Sequence, residues 1–214
     1  MTVVLATGNA GKVREFRELL AGLPLELRCL ADLTGMPPIP EEAFSLEENA
    51  AAKAWAACRF TGSVALGEDT GLEVDTLGGA PGPRAARYFG EGLTDGDRVG
   101  RLLGALAGVP APGRTARFRC VLVIAEPGGR QWVTAGECRG AITEAPRGQG
   151  GFGYDPVCEV EGMRRTLAEL DLAAKNAVSH RGRAAAGARP VLERLLHEAA
   201  GQAPGEPVGG RSRS

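Results

Sequence analysis

Apolar residues fall into short runs at the start of the chain. Val3-Val4-Leu5-Ala6 predicts a buried strand, and Val13, Phe16, Leu19 and Leu20 recur at the spacing of one helix face. Thr7-Gly8-Asn9-Ala10-Gly11-Lys12 joins them, so the pattern is strand, glycine-bearing turn, helix. Leu25 to Leu30 reads as a second strand and Met36 to Pro40 as a proline-rich loop. Ser45, with Glu48 three residues on, predicts a capped start for a helix rich in strong formers from Ala50 to Phe60. Val64 to Gly67 predicts a short strand ending in Glu68-Asp69-Thr70-Gly71, and Leu72 to Thr76 alternates like the second strand of a hairpin-like pair. On that reading the acidic cluster sits at a strand end. Leu77 to Pro83 is a glycine-proline loop, and Thr94 to Ala107 predicts another capped amphipathic helix. Arg114 to Ala125 and Gln131 to Ile142, separated by Pro127-Gly128-Gly129-Arg130, predict a long antiparallel hairpin, the candidate for a second lobe or an oligomer contact. Pro146 to Pro156 is too rich in glycine for regular structure. The last helix contains Ala184 to Glu198 and is expected to bend or restart at Pro190. Residues 1–200 are thus expected to fold together, as one globular domain or two closely packed lobes, and the polar stretch 201–214 to be a disordered tail.

Composition narrows the picture. A chain of 214 residues that is 43% hydrophobic supports a real core, in one globular domain or two closely packed lobes. With 25 Lys+Arg against 26 Asp+Glu, the net charge of -1 gives no basic field for a long nucleic acid, so any anion must be bound locally. No apolar run approaches membrane-spanning length, and the N-terminus enters a strand without the regions of a signal peptide. The expectation is a cytoplasmic protein with no membrane partner. Cys29, Cys58, Cys120, Cys138 and Cys158 form no C-x-x-C pair and are expected to be reduced and mostly buried.

The first turn carries chemistry. A strand-to-helix junction presents backbone N–H groups and the positive end of a helix dipole, and Lys12 adds a full charge, so phosphate is the favoured occupant. The spacing is neither that of the usual ATP-binding loop nor the dinucleotide pattern. The same residues would also serve a purely structural turn. Acidic residues stand at Glu41-Glu42, Glu48 and Glu68-Asp69. Glu48 could simply close its cap. Asp69, after Val64-Ala65-Leu66, lies where ligands bind in α/β sheets. Carboxylates converging there require a cation, and oxygen ligation with a phosphate partner suits Mg²⁺. Lys175, His180, Arg181 and Arg183 follow a loop carrying Phe152, Tyr154 and Asp155, a mixture of aromatic planes, acceptor and donors suited to a nucleobase.

Taken together, TGNAGKVREF, SLEENAAAKA, GEDTGLEVDTLGGAPGPRAARY, GGFGYDP and KNAVSHRGRA, in that order from Thr2 to about Glu198, resemble the inosine triphosphate pyrophosphatase family. Members hydrolyse deaminated purine nucleoside triphosphates (ITP, dITP, XTP) to the monophosphate and pyrophosphate. The resemblance implies a two-lobed α/β fold with a long central mixed sheet flanked by helices, a substrate cleft between the lobes, and a homodimer. It implies that Thr7, Gly8, Asn9, Ala10, Gly11, Lys12 and Lys53 hold the triphosphate, and that Asp69 binds Mg²⁺ and acts as the base. Glu41 looks like the family's metal-associated glutamate, with Glu48 a further candidate. Thr70 would contact substrate, while Phe152, Gly153, Tyr154, Asp155, Lys175, His180 and Arg181 would form the base pocket. Glu68 stands where many members carry Asp. Two rival readings use the same cleft: a non-catalytic purine nucleotide sensor, and a phosphotransferase.

Overall fold

A computed structural model describes residues 1–39 and 45–201 of the chain. Glu41 and residues 202–214 of the expected tail lie outside the described residues. The strands are β1 (Thr2–Leu5), β2 (Glu26–Cys29), β3 (Val64–Val74), β4 (Pro81–Gly82), β5 (Thr115–Ala125), β6 (Gln131–Ile142) and β7 (Cys158–Val160). The helices are α1 (Ala10–Leu19), α2 (Leu46–Thr61), α3 (Asp95–Ala105), α4 (Leu172–Val178) and α5 (His180–Ala199). One mixed sheet has the order β2-β1-β3-β5-β6-β7, with β4 added to β3. Its β1 pairs parallel with β2 and β3, and the remaining ladders are antiparallel. The fold is the α/β arrangement expected.

Three apolar clusters hold the helices to this sheet. Phe16 of α1 and Ala184, Ala188 and Leu192 of α5 pack on Leu5, Leu66 and Leu122. On the opposite face Ala50, Ala54 and Ala57 of α2 meet Ala65, Val121 and Val123. Further along the same strands, Val99 and Leu102 of α3 join Leu72, Phe118, Tyr154 and Val157. The β5-β6 hairpin forms with its turn at Pro127 to Arg130, as predicted, but it is not a separate lobe. Its strands run through the clusters on both sides, and β5 is buried on both faces from Cys120 to Ala125.

Two expectations are corrected. The acidic cluster does not end a strand: β3 runs unbroken through Glu68-Asp69-Thr70 to Val74, paired along its length with β5. Polar residues are tolerated there because helices on each face supply counter-charges. Helix α5 begins at His180 and passes Pro190 without a restart, since its apolar stripe stays seated on the sheet on either side of the proline. All five cysteines are free and buried.

Close helix contact sets the register of the site. Gly67 faces α2, and a Cβ there would lie 2.0 Å from Ala50 O and 2.4 Å from Ala54 N. The missing side chain lets α2 press on β3 and brings Asn49 and Lys53 beside Asp69. Gly67→Ala is therefore expected to cost about 1–3 kcal/mol or more through overpacking. A urea titration should show a lower midpoint with an unchanged slope, and a wild-type midpoint would contradict the close contact.

Candidate active site

The turn after β1 is held by its own side chains. Asn9 caps α1, accepting from Lys12 N through Oδ1 at 3.0 Å, and its own N–H donates to Thr7 Oγ1 at 3.2 Å. No acidic side chain occupies the first turn of α1, so the positive end of its dipole is uncompensated there. Ala10 opens the helix, and Gly11 faces the ring of Phe152, which a Cβ would strike at 2.4 Å. That glycine is needed for close approach.

Alternation along β3 sends its acidic residues to opposite faces. Asp69 turns toward α2, where Oδ1 accepts from Lys53 Nζ at 2.9 Å and Oδ2 from Asn49 Nδ2 at 3.1 Å. Lys53 also donates to Glu68 O at 3.1 Å. Burial pushes the Asp69 carboxyl above its ordinary value, with Lys53 opposing. Glu68 turns the other way, fully buried, to Lys12 and Arg181. Burial opposes its ionisation, but the Lys12 and Arg181 charges outweigh that and hold the carboxyl well below the usual range.

From Glu68 a chain of buried ion pairs crosses the molecule. Arg181 donates to Glu68 Oε1 from Nη2 at 3.0 Å and from Nε at 3.2 Å, to Thr70 Oγ1 at 3.1 Å, and through Nη1 to Glu15. Glu15 also accepts from Lys175 Nζ at 2.6 Å, and Lys175 pairs with Asp155. Asp155 in turn accepts from Phe152 N at 2.8 Å. Positive and negative groups alternate in the order Lys12, Glu68, Arg181, Glu15, Lys175, Asp155. The ammonium of Lys175 stands 4.8 Å from the Phe152 ring centroid and the Arg181 guanidinium 5.5 Å.

Above this chain lies a cavity of about 300 Å³. Thr7, Gly8, Asn9 and Lys12 form one wall, and Thr70, His180 and Arg181 its floor beside Phe118. Phe152, Gly153, Tyr154 and Asp155 form another wall, and Ala85, Ala86, Asp95 and Arg98 close the far side. His180 stacks on Phe118 with centroids 4.6 Å apart and 17° between planes. Its Nδ1 is buried without a hydrogen-bond partner. Burial, reinforced by the Arg181 charge, pushes its pKa well below the ordinary value, so the imidazole is neutral at pH 7.

Most predicted residues meet around this cavity, with exceptions. Lys53 is spent on Asp69 and neither lines the cavity, while Lys175 is buried behind Phe152. Glu48 is exposed and shares hydrogen bonds with Ser45, whose Oγ donates to Glu48 Oε2 at 2.8 Å. Sequence reading missed Glu15, Asp95, Arg98 and Phe118. For Glu15 a signal existed: a carboxylate one residue before Phe16 on the apolar side of α1, where an unpaired charge is not tolerated.

The profile of the Ham1 family matches residues 3–191 of this chain. The dITP/XTP pyrophosphatase of Desulforamulus reducens is 47% identical over 199 residues, covering 92% of this chain and 99% of the relative. That of Geobacter sulfurreducens is 48% identical over 184 residues, covering 86% and 92%. Among solved structures, a HAM1 protein from Coxiella burnetii superposes with a TM-score of 0.80 at 38% identity, covering 92% of this chain and 99% of that one. The Staphylococcus aureus Ham1 protein gives 0.78 at 31% identity, covering 93% and 100%.

Removing a member of the ion chain should be costly. Glu15→Ala leaves Lys175 and Arg181 undercompensated and is expected to lower the unfolding free energy by about 3–5 kcal/mol, measurable by denaturant titration. A loss under about 1 kcal/mol would mean the pairs are not buried in solution. For His180 the sign is explicit: its folded pKa is depressed, so the unfolded chain takes up the proton first. Its contribution to stability is present above the ordinary value of 6.5 and declines as pH falls through it. Its ring shifts in NMR spectra should not move between about pH 5.5 and 8; a titration near 6.5 would contradict the burial.

Proposed function

This chain belongs to the Ham1 family, and on that premise we propose that it hydrolyses deaminated purine nucleoside triphosphates (ITP, dITP and XTP) to the monophosphate and pyrophosphate. The observation carrying this reading is one cavity with a lysine-bearing helix N-terminus on one wall and an aromatic turn on the other, while Asp69, one residue before the cavity-lining Thr70, carries a buried carboxylate on the opposite face of β3.

Each oxygen of Asp69 accepts one nitrogen donor, which leaves lone pairs for a hard cation. Among the described residues no group of three acidic, histidine or cysteine side chains makes a standing metal cage. That donor set fits Mg²⁺ held by one or two carboxylates and completed by substrate phosphates. Asp69 would hold it, together with Glu41 from the segment outside the described residues. When bound, the ion supplies charge neutralisation on the phosphate oxygens.

The chain's own groups do the rest. Backbone N–H groups at the start of α1 and the Lys12 ammonium bind phosphate oxygens. Asp69, steadied by Lys53 and Asn49, orients water for in-line attack on the α-phosphorus and takes its proton. Pyrophosphate leaves, with positioning and electrostatics supplying most of the rate. Phe152 and the neutral His180 form the base site. Arg181 makes four hydrogen bonds to Glu15, Glu68 and Thr70, leaving one of its five N–H groups for a 6-keto oxygen. Opposite a 6-amino group that donor would be unpaired, at a cost of about 1–3 kcal/mol. A homodimer in the cytoplasm is the expected setting; no described helix is long and apolar enough to cross a membrane.

The test is a panel of nucleoside triphosphates with Mg²⁺ and resolved products. Inosine and xanthosine triphosphates should yield monophosphate and pyrophosphate, with adenosine triphosphate much slower. Tight binding without turnover would favour the sensor, and a transferred phosphoryl group the phosphotransferase. Asp69→Asn should lower kcat at least about a hundredfold with the fold intact; activity within a few fold of wild type would remove Asp69 as the base.

A further inference from the structure

Asp95 is the first residue of α3, where an acidic side chain ordinarily only complements the helix dipole. Here it reaches across the cavity mouth. Its Oδ2 accepts the backbone N–H of Gly153 at 2.7 Å, 58 positions away in sequence, and its Oδ1 pairs with Arg98 Nη2 at 2.5 Å. Arg98 is itself fixed, donating from Nη1 to Leu93 O at 2.7 Å and to Ala86 O at 3.2 Å. The carboxylate therefore has a set orientation, and it lines the cavity.

Gly153 is the tip of the aromatic turn, in the left-handed region at φ 62°. On one side of it Phe152 is seated on Gly11 in the phosphate turn, and on the other Tyr154 OH donates to Ala85 O at 2.9 Å. The turn thus bridges the two walls of the cavity, and its tip is tied to α3 through Asp95. A charge-assisted bond to a backbone N–H is among the stronger single contacts available to a turn.

Resting on the reading of this cavity as a nucleotide site, we propose that Asp95 is a positioning residue for nucleobase binding: by holding Gly153 it keeps the ring of Phe152 at the cavity wall. Asp95 acts through the turn and touches no reacting atom. Its effect should therefore fall on binding and leave the chemical step alone.

Amide hydrogen exchange at Phe152 and Gly153, read together with steady-state kinetics on inosine triphosphate, tests this. Asp95→Ala should accelerate exchange at both amides and raise KM about tenfold, with kcat within about twofold. Asp95→Asn keeps an acceptor oxygen and should restore most of both. Asp97→Ala is the structural control. It removes the α3 cap, in which Asp97 accepts from Thr94 N at 3.0 Å, without touching the turn, and should lower thermal stability while KM stays put. The proposal is overturned by a wild-type KM in Asp95→Ala, by Asn failing as fully as Ala, or by Asp97→Ala raising KM equally. Should the wild-type protein not turn over any nucleoside triphosphate, the functional reading fails by itself. Exchange at Gly153 then still decides whether Asp95 holds the turn.

Discussion

A charge taken out of water must be met by a partner, and around the cavity that constraint is satisfied by an alternating chain from Lys12 to Asp155, with the Lys53–Asp69 pair standing apart from it on the other face of β3. No member can move alone. Lys12 and Glu15 come from α1, Glu68 from β3, Lys175 from α4 and Arg181 from α5, while Asp155 anchors the aromatic turn. Apolar packing brings these elements onto one sheet, but packing alone tolerates small slides. The ion pairs do not, because a displaced partner leaves a buried charge exposed to low dielectric. The chain therefore fixes the relative positions of the turn after β1 and the aromatic turn at Phe152 to Asp155.

That rigidity has a functional consequence. A site that acts by positioning and electrostatics works best when its dipoles and charges are set before substrate arrives. The two faces of β3 divide the work. Glu68, on one face, organises the cations of the pocket. Asp69, one residue on, lies on the other face with Lys53 and Asn49, where its burial favours proton uptake. The Asp69 side depends on the glycine at position 67, which lets α2 approach closely enough to deliver Lys53.

Local patterns were legible in the sequence and long-range ones were not. The strand, turn and capped helix at the start, the Ser45 and Thr94 caps and the β5-β6 hairpin could be read because each is decided by residues within a few positions. The motif segments led to most of the cavity wall for the same reason. The GEDTG stretch was misread as a break, because glycines beside acids look like a turn unless the helices that flank them are known. Glu15 escaped notice because its partner Lys175 lies 160 residues away. Asp95 escaped because its role is to bind a backbone amide, which leaves no side-chain signature in the sequence. Helix α5 runs through Pro190 without a restart because its packing on the sheet outweighs one lost hydrogen bond.

The central claim is that this charge-balanced cleft directs water to the α-phosphorus of a deaminated purine nucleotide. Hydrolysis of inosine triphosphate in heavy-oxygen water, with mass analysis of both products after a single turnover, reads the attacked atom directly. The account predicts the label in the monophosphate and none in the pyrophosphate. Label in the pyrophosphate, or release of inorganic phosphate carrying it, would contradict the account.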